Sequence, residues 1–238
     1  MIPKKIHYCW FGKNQLDKLA LRCIATWRKH CPDYEIIELN EKNFDVYSTA
    51  YTKQAYDAKK YAFVSDFARF DILYKEGGIY LDVDVELLKP LDPLLQNKAY
   101  MGFEEETYVN PGLGFGSVAG HSLLGDILEK YHQRVFIDDE GRYDYTTVVH
   151  TVTNILLGKG LVDNNQLQTI QDCTIYPKDF LQPVDIKSNK TFITQNTYSI
   201  HHYASSWYPT HRKILKKLSK IAGPQMKHFV RKLIKRKW

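Results

Sequence analysis

At 238 residues, 44% hydrophobic and 25% charged, the chain has the length and composition of a globular protein with a substantial core, which excludes a disordered or fibrous class. No apolar run approaches the roughly 18 residues of a membrane span, and the start lacks the apolar stretch of a secretion signal. The net charge of +6 comes from the end: no Asp or Glu follows Asp185, while eleven Lys and Arg crowd residues 211–238.

In chain order, Lys5 to Phe11 reads as a first, central strand, apolar on both faces and closed by the turn Gly12-Lys13-Asn14. Leu16, Leu19, Ala20, Cys23, Ile24, Trp27 and Cys31 recur at helical spacing, and Pro32 closes that helix. Tyr34 to Leu39 is a second strand. One long helix is expected from about Ala55 to Lys75, with Phe63, Phe67, Phe70, Leu73 and Tyr74 on its inner side and Gly77-Gly78 as its stop. Ala99 to Phe103 gives a further strand. The Gly-rich loop Asn110 to Ser117 leads to a helix over His121 to Arg134, followed by a helix near Val148 to Leu157 and a strand near Tyr198 to Tyr203. Alternating strands and helices predict an α/β sandwich with a mainly parallel sheet, in which ligands bind where strands end and loops diverge. Cys9, Cys23, Cys31 and Cys173 show no paired metal-ligand spacing and fit reduced, buried thiols in a cytoplasm.

The segment Gly77 to Leu88 carries the chemistry. Ile79, Leu81, Val83, Val85 and Leu87 alternate with Asp82, Asp84 and Glu86, as in a continuous strand with one acidic face. On such a strand Asp82 and Asp84 stand about 6.6 Å apart and point the same way. Two carboxylates that close suit a divalent cation with hard oxygen ligands; the alternative is a solvent face that is merely acidic. Upstream, Asp66 and Arg69 are neighbours on one helical face, either an ordinary ion pair or part of the same cleft. Downstream, Ser199 to Trp207 holds His201, His202, Ser205 and Ser206, and a His with a Ser three residues on can complete an oxygen-rich shell and tilt it from Mg²⁺ toward Mn²⁺. Trp10, at the end of the first strand, is either core or a stacking surface for a nucleobase. The loop Pro111 to Gly116 lacks the strand, helix and Lys-Ser/Thr context of a phosphate-binding fingerprint, and close backbone approach to a bound sugar is its expected use.

The strings IHYCWFG (6–12), YAFVSDFARFDILYKEGGIYLDVDVELLKPLD (61–92) and NTYSIHHYASSW (196–207) resemble the DXD-type sugar transferases of capsular polysaccharide loci, which are related to yeast mannosyltransferases of the Och1 type and, more distantly, to the glucosylating domain of large clostridial toxins. The resemblance covers roughly residues 2 to 208. It implies a single nucleotide-sugar-binding domain of the GT-A type, with a Rossmann-like mixed sheet over 1–208 and a basic amphipathic helical tail over 209–238. It also implies a metal-dependent, retaining glycosyltransferase that uses Mn²⁺ or Mg²⁺ and a nucleotide-sugar donor, a UDP-sugar ahead of a GDP-sugar. Carried over by position, Asp84 binds the metal, Asp82 holds ribose and metal, and His202 is the third ligand where the toxins have a carboxylate. Ser205 and Trp207 complete the late motif, Trp207 against the departing phosphate or donor sugar. Trp10 stacks on the base, Asp66 and Arg69 grip the donor sugar and its phosphate, and Asn110 faces the sugar beside the acceptor.

The expected acceptor is a growing polysaccharide or lipid-linked oligosaccharide in capsule or lipopolysaccharide synthesis. Ile214, Leu215, Leu218 and Ile221, then Phe229, Val230, Leu233 and Ile234, form apolar stripes among the basic residues. Such helices suit an anionic membrane surface, so 211–238 is expected to dock the cytoplasmic enzyme at the inner leaflet, with helix packing or nucleic acid as the alternatives. Two other function classes compete: a metal-dependent phosphodiesterase or nucleotidyltransferase, and a non-catalytic membrane-associated nucleotide- or carbohydrate-binding protein.

Overall fold

In the computed structural model, which describes residues 1–105, 107–185, 188 and 190–204, the apolar first run forms β1 (Lys5–Cys9). Helix α1 (Lys18–His30) starts where the Asp17 carboxylate accepts from Ala20 N. It buries Ala20, Cys23, Ile24 and Trp27, one face at helical spacing, and ends on Arg28, Lys29 and His30, which suit the negative end of its dipole. Then come β2 (Glu35–Leu39), α2 (Ala50–Asp57) and α3 (Tyr61–Glu76). The single helix expected from Ala55 is therefore two. The chain breaks between them at Lys59, whose φ of 57° is left-handed, and the amides of Ala58, Lys59 and Lys60 bond back to α2 carbonyls.

At the far end of α3, Gly77 and Gly78 both take positive φ, 68° and 113°, and a Cβ on Gly78 would lie 3.1 Å from the Lys5 carbonyl. Glycine alone lets the chain turn there and enter the sheet directly beside β1. The remaining elements are β3 (Gly78–Tyr80), β4 (Val85–Leu87), β5 (Ala99–Gly102), β6 (Phe115–Ser117), α4 (Ser122–His132), α5 (Val148–Gly158), β7 (Gln168–Ile170), β8 (Cys173–Tyr176), α6 (Lys178–Leu181), β9 (Val184–Asp185), β10 (Lys190–Thr191) and β11 (Ser199–His201).

Seven strands form one mixed sheet in the order β2-β1-β3-β6-β5-β8-β7. It is less parallel than alternation alone suggests. β1 pairs in parallel with β2 and β3, and β5 with β8, but β6 runs antiparallel to both β3 and β5, and β7 to β8. The alternation of β1 sends Ile6 and Tyr8 into a core with Ile24 and Trp27, and Cys9 into a second core with Phe63, Phe67 and Phe70. All four cysteines are buried and unpaired. No helix among the described residues is long and apolar enough to cross a membrane.

The acidic strand is corrected as well. β3 belongs to the large sheet, whereas β4 pairs only with β11 in a separate antiparallel ribbon. Between them Leu81 to Asp84 leave the ladder: Leu81 N still bonds His7 O, and Val85 N turns back to Asp82 O, 3.0 Å in each case. Helix α1 fixes the new direction, because Trp27 Nε1 donates to Val85 O at 2.7 Å and Thr26 Oγ1 accepts from Leu87 N at 2.9 Å. Asp82 and Asp84 thus sit on a turn at the C-terminal edge of the sheet.

Candidate functional site

Four segments meet at that turn. The first is the turn itself, with Asp82 and Asp84. The second is β11, whose last residue, His201, places Nε2 3.0 Å from Asp84 Oδ1. One ligand atom from each of Asp82, Asp84 and His201 lies within 4.8 Å of the others, close to the span of one coordination sphere around a small divalent ion. Two carboxylates and an imidazole form a donor set that fits such an ion. Burial works against a charge on His201, but the bond to Asp84 and the charges of Asp84, Asp82 and Glu104 outweigh it and raise the imidazole pKa.

The third segment is α3. Arg69 and Asp66 lie on its inward face, with only 5% and 11% of their side chains exposed. Arg69 Nη2 lies 3.1 Å from Asp66 Oδ1 and 3.4 Å from Asp82 Oδ1, so one guanidinium ties the helix to the turn. Its Nε donates to Ser65 O at 3.0 Å, and its plane rests 4.6 Å from the centre of the Tyr80 ring. Tyr80 in turn donates its hydroxyl to Asp82 Oδ1 at 3.0 Å. Arg69 Nη1 is buried without a partner among the described residues, as expected of a donor that a ligand completes. Burial is the largest influence on Asp66; it exceeds the attraction of Arg69 and pushes the carboxyl up to about 6.

The fourth segment is the Gly-rich loop, which becomes a tight turn over Pro111–Leu113 followed by β6. Asn110 caps the turn, its Oδ1 accepting from Gly112 N at 2.7 Å. A Cβ on Gly112 would come within 2.4 Å of Asp82 Oδ2, so the close approach expected of this loop is to a carboxylate of the site.

Residues 17–101 match the family described as "Glycosyltransferase sugar-binding region containing DXD motif". The match takes in α1, α3 and the turn that carries Asp82 and Asp84. Inositol phosphoceramide mannosyltransferase 1 of Schizosaccharomyces pombe is 26% identical over 148 residues, 57% of this chain and 45% of that protein. The initiation-specific alpha-1,6-mannosyltransferase of Candida albicans is 31% identical over 105 residues, 40% of this chain and 27% of that protein. Among solved structures, the PaToxG glycosyltransferase aligns at 18% identity with a TM-score of 0.49, covering 67% of this chain and 69% of that one. The chain spans less than half the length of both curated relatives.

Of the expected residues, the structure gathers Asp66, Arg69, Asp82, Asp84 and Asn110. It differs at the histidine: His201, rather than His202, stands against Asp84, and His202 Nε2 pairs with Glu86 Oε2 at 2.8 Å. His201 ends β11 against Asp84, whereas His202, just past the strand, bonds Asp84 O through its amide at 3.0 Å and turns its ring to Glu86. Trp10 follows β1 at the same edge of the sheet, half-buried, with Nε1 donating to Asn14 O at 2.7 Å. Ser205, Trp207 and the basic tail lie outside the described residues. Sequence reasoning passed over Tyr80 and Glu104. Tyr80 is two residues from Asp82, the same-side spacing of a strand, and Glu104 follows the end of β5, where ligand-binding loops diverge; both signals were present.

Proposed function

We propose that this protein is a metal-dependent glycosyltransferase of the GT-A type, which moves a sugar from a nucleoside-diphosphate donor to a glycan or lipid-linked acceptor. The observation that carries the reading is the convergence of Asp82, Asp84 and His201 beside a buried arginine with an unsatisfied nitrogen. Asp82, Asp84 and His201 would hold a divalent ion, Mn²⁺ ahead of Mg²⁺ because of the imidazole. When bound, such an ion stabilises the charge that builds on a departing nucleoside diphosphate.

The chain's own residues supply the rest. Arg69, fixed by Asp66, Asp82 and Ser65 O, offers Nη1 as a rigid donor to a phosphate or sugar oxygen. Asp66 locks that guanidinium and would accept from a hydroxyl of the donor sugar. Trp10, at the same edge, offers an indole face to a base. Transfer with retention, a UDP-linked donor, a capsule or lipopolysaccharide acceptor and docking at the inner leaflet through 211–238 complete the reading. Mannosyl transfer, named for two relatives, makes GDP-mannose the donor to set against the UDP-sugars. The metal-ligand cluster found among the described residues has three members, which suits one ion better than the two-ion centre of a phosphodiesterase.

The test is a thermal-shift panel of UDP- and GDP-sugars with and without Mn²⁺, followed by assay for released nucleoside diphosphate. A metal-dependent rise with one nucleotide sugar, lost in Asp84→Ala, supports the reading. Equal shifts in the two proteins, or release of monophosphate or pyrophosphate, would overturn it.

A further inference from the structure

We infer that Glu104, bonded to the Asn110 already expected to face the sugar, adds an acceptor that reads a hydroxyl of the transferred sugar beside the Asn110 donor, an inference that rests on the glycosyl-transfer reading above. Asn110 is 6% exposed, and its amide is oriented from both ends. Oδ1 accepts from Gly112 N at 2.7 Å, and Nδ2 donates to Glu104 Oε1 at 2.9 Å. Flipping the amide would set oxygen against carboxylate and N–H against N–H, so the orientation is unique. A side-chain amide has two N–H donors. With one on Glu104 and the oxygen on Gly112, the remaining N–H is what Asn110 offers a ligand. An ionised carboxylate only accepts, and Glu104 Oε2 has no partner among the described residues. The pair therefore presents one donor beside one acceptor, the complement of two neighbouring sugar hydroxyls, each of which both donates and accepts.

Glu104 and Asn110 are placed at the site and held firmly. Gly112, to which Asn110 is bonded, backs directly onto Asp82 Oδ2, and the charge of Glu104 is felt at His201. The bridge between Phe103 and Val109 and the bond from Glu104 N to Tyr108 O, 2.7 Å, close the loop that carries Glu104. Val109 N is bonded in turn to the buried Thr153 Oγ1 of α5 at 3.0 Å. A site built to bond a hydroxyl rejects an analogue that lacks it, because its own buried groups are then left unpaired. Glu104 is thus a specificity residue for the sugar and is not itself a member of the Asp82–Asp84–His201 cluster.

The experiment compares wild type, Glu104→Gln and Glu104→Ala by calorimetry in Mn²⁺, with UDP and GDP alone, with UDP-glucose, UDP-galactose, UDP-N-acetylglucosamine and GDP-mannose, and with monodeoxy forms of the best donor. Glutamine can still accept from Asn110 but presents an N–H₂ where the sugar meets an acceptor, and thermal unfolding controls for the fold. The expected result is bare-nucleotide affinity within twofold in all three proteins and at least a tenfold loss for the intact nucleotide sugar in both variants. The monodeoxy donor lacking the recognised hydroxyl should bind wild type and Glu104→Gln alike. Intact-donor affinity within twofold of wild type in the variants, or equal loss of the bare nucleotide, would overturn the assignment. If wild type bound no nucleotide in Mn²⁺, the glycosyl-transfer reading would fail first and take this inference with it.

Discussion

His201 Nε2 and Asp84 Oδ1 stand 3.0 Å apart, brought together by the antiparallel ribbon of β4 and β11. If they share an ion, His201→Ala weakens Mn²⁺-dependent nucleotide binding at least tenfold, while His202→Ala changes it less than threefold. Titration calorimetry separates the two, and addition of a chelator should reduce wild type to the His201→Ala level. A larger effect at His202 would return the ligand role to the residue expected from the sequence.

Gly112 offers a cleaner perturbation. Its φ is not in the left-handed region, so alanine adds no backbone strain, but the new Cβ would lie 2.4 Å from Asp82 Oδ2 and 3.0 Å from Asn110 Oδ1. Gly112→Ala should alter unfolding free energy by about 1 kcal/mol or less, because half-exposed Asp82 can swing away. Metal-dependent nucleotide binding should fall by an order of magnitude as it does so. Normal binding in a folded Gly112→Ala protein would remove this turn from the site.

Removing Arg69 leaves Asp66 buried beside Asp82 with no cation between them. Arg69→Ala is expected to cost about 3–5 kcal/mol in denaturant unfolding, the range for breaking a buried pair. The double variant Asp66→Asn, Arg69→Met should recover much of that loss without recovering activity. A single variant as stable as wild type would show that the pair is not desolvated.

Asp66 also predicts a pH dependence. Its folded carboxyl titrates at about 6 against an ordinary value of 3.8, so the folded state binds the proton more tightly than the unfolded chain. The resulting contribution to stability is complete below pH 4 and is lost as pH rises through 6. Relative to Asp66→Asn, wild type should lose up to about 3 kcal/mol between pH 4 and pH 7. Parallel stability curves for the two proteins would contradict this.

The alternation from Ile79 to Leu87 was legible because burial follows it: Ile79, Leu81, Val85 and Leu87 are all in the core. The break in the strand was not, since the turn at Leu81–Asp84 preserves the same two-residue period while redirecting the hydrogen bonds. The choice between adjacent histidines depended on the register of β11 against β4, which a strand of three residues does not encode by itself. Lys59 broke a helix with no Gly or Pro to announce it. Asp66 and Arg69 were readable as a pair from their spacing, but their role as the link between α3 and the turn came only from the packing of α3 on β1 and β3.

Because its imidazole arrives on β11, the Asp82–Asp84–His201 cluster draws on parts of the chain far apart in translation order. A nascent chain on the ribosome already carries both aspartates and the arginine long before residue 201 emerges. Over that interval the three-residue cluster is unfinished, and the growing polypeptide lacks its third side chain. The cluster is completed only when β11 pairs with β4.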